Sequence, residues 1–149
     1  MTIMTAVPKS WIRRVDFTPG SYLKTRRVAQ LLDLHQVAAK IRTQPHVPEH
    51  DLVAWLEGIE ADVVPASITT IDALHAAFRF DRSVLAALDA IVKGDRDPEH
   101  TPRICRICAC SWRLPCTCGA EACSWVPGED LCTACVDALA APAAEGATA

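Results

Sequence analysis

With 149 residues the chain can form one ordinary domain or two small ones, and half of it is hydrophobic, so a packed core is within reach. Aromatic residues make up only 5%, so the apolar content is mostly Ala, Leu, Val and Ile, which argues against a strand-rich fold and for a mainly α one. The formal net charge is only −3, and no run of about 18 apolar residues occurs, which excludes a transmembrane helix.

Residues 1–20 read as an irregular arm, punctuated by Pro8, Pro19 and Gly20, with Trp11, Ile12, Val15 and Phe17 able to pin it onto a core. Lys9, Arg13 and Arg14 interrupt any signal-peptide core, so a cytosolic protein with reduced thiols is expected. The first 43 residues carry eight basic side chains (those three with Lys24, Arg26, Arg27, Lys40 and Arg42) against Asp16 and Asp33. A basic head on an acidic body suggests an anionic partner, or else a solvated helix face.

A helical domain is expected over 21–93. Helix signals begin near Tyr22. Val28, Leu31, Leu32, Leu34, His35, Ala38 and Ile41 recur at spacings of three and four and predict one apolar stripe, ended by Pro45 and Pro48. Pro48 suits the start of a helix over Glu49–Glu57, with Gly58 as its stop. Ala61–Ser67 reads as a loop. Thr69 with Asp72 resembles a capping box opening a helix through Phe78. Asp81 caps the next helix, striped by Val84, Leu85, Leu88, Ile91 and Val92 and stopped by Gly94. Trp55, Phe78 and Phe80 are expected in the core. His35 and His75 fall within helix patterns, packed or half exposed.

Residues 94–103 form a polar linker with two prolines, and all eight cysteines lie beyond it. They occupy a module over 104–138, followed by an Ala-rich tail, 139–149, expected to be disordered. The spacing is C-x2-C-x-C-x5-C-x-C-x4-C-x8-C-x2-C from Cys105 to Cys135. A C-x2-C pair on a tight turn places two sulfurs on one tetrahedral ion, and a second pair closes it. Cys105, Cys108, Cys132 and Cys135 therefore make a natural outer zinc site. Cys110, Cys116, Cys118 and Cys123 would make a nested second one, for two structural zinc ions, and a shared or interleaved arrangement satisfies the spacing equally. His100 is a spare ligand or a solvated side chain. Disulfides and iron–sulfur clusters compete with zinc. The first need an oxidising compartment, and the second usually follow C-x2-C-x2-C-x3-C-P, which is absent. Trp112 and Trp125 are expected to cover the module.

The run Cys105-Arg106-Ile107-Cys108-Ala109-Cys110, then Cys116, then Cys123-Ser124-Trp125-Val126, then Asp130-Leu131-Cys132-Thr133-Ala134-Cys135 resembles a cysteine motif of uncharacterised bacteriophage and prophage proteins. The chain departs from that motif at Trp112 and Arg113 and in the additional Cys118, which leaves the inner ligand set open. The resemblance implies a metal-binding accessory protein in the cytoplasm of a bacterial host. Residues 22–57 resemble the helix-turn-helix of excisionase-like regulators: Thr25–Leu32 matches its first helix and Val47–Leu56 its closing helix, whereas Asp33 stands where that turn usually has Gly.

There is no H-x-E before Pro115-Cys116, no paired carboxylates and no glycine-rich phosphate loop, so a non-enzyme is expected. The leading expectation is a nucleic-acid-binding regulator in which Lys24, Arg26, Arg27, Lys40 and Arg42, with Arg103 and Arg106 from the module, contact phosphates. The alternative is a protein-interaction module that inhibits or adapts a host enzyme or defence complex. Neither reading names the oligomeric state, and neither involves a membrane.

Overall fold

The structure, a computed structural model, describes residues 17–43, 45–118 and 121–140. Trp11, Ile12, Val15, Lys9, Arg13, Arg14 and the end of the tail lie outside the described residues. The fold is mainly α. Its elements in chain order are α1 (Pro19–Ala29), α2 (Leu34–Lys40), α3 (Glu49–Glu60), α4 (Ile68–Ala77), α5 (Arg82–Val92), β1 (Thr117–Cys118), β2 (Glu121–Ala122) and α6 (Thr133–Ala140). A single 3-10 turn, Pro98–His100, lies between α5 and the cysteine segment.

The first helix starts three residues before the expected Tyr22. Thr18 and Ser21 form a reciprocal capping box, and Pro19 occupies the first helical position, where its missing N–H costs nothing. The pair Pro19-Gly20, read as punctuation, is thus the helix entrance. Gly20 is also a packing requirement. A Cβ there would lie 2.5 Å from the Ile59 carbonyl oxygen and 2.6 Å from that of Glu60. Its N–H donates to Asp62 Oδ1 at 2.8 Å, and the Thr18 hydroxyl donates to the other oxygen of that carboxylate. The N-terminus of α1 therefore sits directly on the C-terminal carbonyls of α3, an arrangement the two helix dipoles favour.

The single stripe expected from Val28 to Ile41 is two helices. Leu31 adopts φ 58°, a left-handed turn. Asp33 then starts α2 with its own capping box, accepting from the Gln36 N–H at 2.7 Å while Gln36 Oε1 accepts from the Asp33 N–H at 2.9 Å. As a result Val28 and Leu31 face solvent, Leu31 at 89% exposure, whereas Tyr22, Leu23, Val37 and Ala38 carry the buried faces. Two further boundaries move for local reasons. Ser67, rather than Thr69, caps α4 by accepting the Thr70 N–H. Gly58 does not stop α3; it makes room for Val64, whose side chain would lie 2.7 Å from an added Cβ, and α3 runs on to Glu60. The last helix of the body forms as expected: Asp81 caps α5 and Gly94, at φ 79°, follows its end.

In this body α2 packs on α3 and α4, and α1 packs on α3 and α5. Tyr22, Leu23, Val37, Leu56, Leu74, Phe80 and Leu88 form the centre of the core. Phe78 joins them, Trp55 packs against the edge, and Phe17 meets Tyr22 edge-on at 6.4 Å. Ile104 and Ala109, from the cysteine segment, belong to the same cluster. The segment is therefore seated on the helical body, although residues 94–101 before it are exposed.

Replacing Gly20 by Ala is expected to destabilise the fold by about 2 kcal/mol or more, because backbone carbonyls rather than mobile side chains must give way. For a body of this size that is a fall in Tm of roughly 8 °C or more, and thermal unfolding followed by circular dichroism checks it. A change within about 2 °C would disprove the close approach.

Candidate metal centre

The cysteine segment folds by short turns around its sulfurs. In the first turn the Ala109 N–H donates to the Cys105 carbonyl at 2.8 Å and the Cys105 N–H to the Cys110 carbonyl at 3.0 Å. Ala109 takes φ 57° there, which turns the chain so that Cys105, Cys108 and Cys110 all face inward. β1 and β2 form a two-residue antiparallel hairpin between Cys116 and Cys123, closed below by the Cys123 N–H to the Cys116 carbonyl. Trp125 pairs with Cys132 in an isolated bridge, and α6 starts directly after Cys132.

These turns bring the sulfurs together. The Sγ atoms of Cys105, Cys108, Cys132 and Cys135 all lie within 4.8 Å of one another, and all four residues are buried. This is the set to which the two C-x2-C pairs point. A second set, Cys108, Cys110, Cys116 and Cys132, satisfies the same limit. It differs from the expected inner set by drawing on Cys108 and Cys132 instead of Cys118 and Cys123. Cys123 Sγ lies 3.8 Å from Cys110 Sγ but outside either group, and it accepts the Cys116 N–H at 3.2 Å. The Cys118 side chain lies outside what is described. None of the seven described cysteines is in a disulfide. His100 is exposed and does not join either group.

Thiols packed this closely cannot all ionise unaided. Cys110 is pushed above the usual thiol range by sulfur contacts with Cys105 and Cys108, whereas burial is the main cause that raises Cys116 and Cys135. Cys105 is held low by the same sulfur contacts, with Cys108 first. The cluster thus favours one thiolate and suppresses the next ones, and a multivalent cation is what would let four ionise together. An all-sulfur donor set of this kind suits a soft or borderline metal ion. One of its neighbours fits an anionic centre as well. Arg26 of α1 is 6% exposed, donates from Nη1 to the Cys108 carbonyl at 3.0 Å, and leaves its Nε buried without a partner. A buried guanidinium without a carboxylate needs negative charge close by.

That placement corrects the expectation for the basic residues. Arg26 is committed to the Cys108 carbonyl beside the sulfur cluster. Arg27 is 7% exposed and makes a two-pronged pair with Glu60, at 2.6 and 2.9 Å, while its Nη1 donates to the Leu32 carbonyl. Both are buried and engaged within the fold. Arg103 spans the module, donating to the Val126 and Glu129 carbonyls and lying over the Trp125 ring at 4.5 Å, and Arg106 faces Glu129. Lys24, Lys40 and Arg42 remain exposed. Trp125 covers the sulfurs as expected, but Trp112 does not; it is 73% exposed.

A second polar tie, unseen in the sequence, joins the body to the module. One oxygen of Asp81 caps α5 through the Ser83 and Val84 N–H groups, and the other accepts the buried Ser111 hydroxyl at 2.7 Å. The Asp81 N–H in turn donates to the hydroxyl of Tyr22, whose pKa burial pushes up to about 12. Burial opposes the charge on Asp81, yet hydrogen bonds from Ser83, Ser111 and the cap outweigh it and hold the carboxyl below its usual range. The stability it confers is therefore complete above about pH 4 and is lost as pH falls below that.

Between α1 and the cysteine segment runs a groove of about 680 Å³. Its walls include the exposed Val28 and Ile107 with Leu114 and Pro115, and Lys24 and Arg79 lie along it. Comparison of the chain with family models, curated proteins and solved structures gave no match.

Removing metal with a strong chelator is expected to unfold residues 104–138 while α1–α5 keep most of their helix. Trp125 emission should shift to the red with little loss of far-ultraviolet ellipticity. Freeing Ile104 and Ala109 from the core should also lower the Tm of the remaining transition, since burying one large aliphatic side chain contributes about 1.5–3 kcal/mol. An unchanged emission maximum and Tm after complete chelation would rule out a metal-held module.

Proposed function

We propose that the protein is a zinc-dependent protein-binding accessory module, in which zinc orders the cysteine segment and so completes the groove against α1. The groove carries this reading. One of its walls is helix and the other is the Ile107–Pro115 stretch, so its shape depends on the sulfur cluster behind it. The exposed Val28 and Ile107 offer apolar area that has no internal use. Among the described residues, Lys24 and Arg79 make no ion pair, which suits an acidic segment with an apolar face. Zinc is supported by the all-cysteine donor sets and by the two C-x2-C pairs. The resemblance of Cys105–Cys135 to a phage motif supports a metal-binding accessory protein.

The nucleic-acid reading keeps Lys24, Lys40 and Arg42, but loses Arg26 and Arg27 to internal pairing and shares Arg103 and Arg106 with the module's own carbonyls and carboxylates. Too little unpaired charge is left on one face to favour it over a protein partner.

The two readings separate in a fluorescence-anisotropy experiment with two probes: a library of acidic amphipathic dodecapeptides, and a random-sequence DNA duplex. The zinc-loaded protein should select acidic peptides over their neutral counterparts. Val28→Asp should weaken the selected peptides at least tenfold, by placing like charge on the apolar wall, and chelation should abolish binding. Absence of any acidic selection, with duplex binding that persists at moderate salt and is lost in Lys24→Glu and Arg42→Glu, would replace this proposal with the nucleic-acid one.

A further inference from the structure

We infer that the two zinc ions form one binuclear cluster, bridged by the thiolates of Cys108 and Cys132. Cys105 and Cys135 complete one ion, and Cys110 and Cys116 complete the other. The inference takes zinc from the reading above but depends on neither the groove nor its partner.

The argument starts from the overlap. The two sets of four sulfurs are not disjoint; they have Cys108 and Cys132 in common. Two separate tetrahedral sites cannot share a ligand, whereas two tetrahedra joined along an edge must share two. With zinc–sulfur bonds of about 2.3 Å, a tetrahedral edge measures about 3.8 Å. Cys108 Sγ and Cys132 Sγ lie 3.7 Å apart, the separation a shared edge requires.

The chain's path fits the same assignment. Cys108 comes from the first turn of the module and Cys132 from the bridge to Trp125 just before α6. A bridge between them ties the two ends of the segment through both ions. Both shared residues are buried, Cys132 completely and Cys108 at 8% exposure. Cys123, a ligand in the nested arrangement, falls outside both groups of four sulfurs and accepts the N–H of the neighbouring Cys116.

Charge gives a third argument. Six thiolates on two divalent ions leave two negative charges, against four for eight thiolates on separate ions. The cation buried against this centre is Arg26, bonded to the carbonyl of the bridging Cys108. A cluster of lower charge is the one that a single guanidinium can balance away from water.

The test uses the full chain. Native mass spectrometry of the zinc form should give two ions, and cadmium-113 exchanged into the same protein should give two resonances split by scalar coupling to each other through the shared sulfurs. Two resonances without mutual coupling, or any ion count other than two, would overturn the bridge. The double variant Cys118→Ser with Cys123→Ser leaves six thiolates and should still carry two ions. A drop to one ion would assign those cysteines to a separate site and sink the inference. If the variant does not fold, the coupling in the unaltered chain decides alone.

Discussion

Sulfurs gathered at the centre of a small, largely polar segment repel one another as thiolates and pack poorly as a core. From Cys105 to Cys135 the described interior is made of Cys105, Cys108, Cys110, Cys132, Cys135 and Leu131, with Trp125 and Val126 at its edge. So little carbon cannot offset the entropy of ordering some thirty residues. A cation that turned mutual repulsion into ligation would be the remaining source of folding free energy, worth roughly ten kcal/mol or more in metal-held domains of this size. The groove, the seating of Ile104 and Ala109, and the burial of Arg26 all follow from whether that centre forms.

The helical body, in contrast, is held by ordinary means. Reciprocal caps at Thr18 and Asp33, the Asp81 cap and the approach of Gly20 to the end of α3 set where each helix starts and meets the next. Tyr22 links the two kinds of order. Its ring is in the core, and its hydroxyl accepts from the residue that both caps α5 and holds Ser111. Gln30 adds a local clamp, exchanging hydrogen bonds with both backbone groups of Arg79, so the end of α1 is fixed to the segment before α5.

Much of this was legible in the sequence where the signal is local. Asp81, the stripe through Leu88 and the terminal Gly94 describe α5 fully, because cap, period and stop lie within one short stretch. The break between α1 and α2 was present as Asp33 and Gln36 three residues apart, but Val28 and Leu31 happen to keep a spacing of three and hid it. Periodicity alone does not distinguish one long helix from two joined by a left-handed residue. Arg26 and Arg27 were misplaced for a different reason. A guanidinium reads as surface unless its partner is known, and those partners, the Cys108 carbonyl and Glu60, are 82 and 33 residues away. The spacing allowed a shared arrangement but could not say that Cys108 and Cys132 are the sulfurs common to both sets. Spacing shows which sulfurs are near in sequence and is silent on one sulfur serving two ions.

The contact between Arg26 and the Cys108 carbonyl has an evolutionary corollary. Cysteine-rich fingers often behave as portable cassettes, spliced from one protein to another with their function intact. This one is poorly suited to that trade. Transplanted without α1, it would expose Ile104 and Ala109 and leave the Cys108 carbonyl without the Arg26 guanidinium. The body, left behind, would turn Arg26 out to solvent with its Cys108 partner gone. Head and finger are therefore bound to be inherited together, and a substitution at position 26 should be tolerated only alongside a change in the turn that carries Cys108.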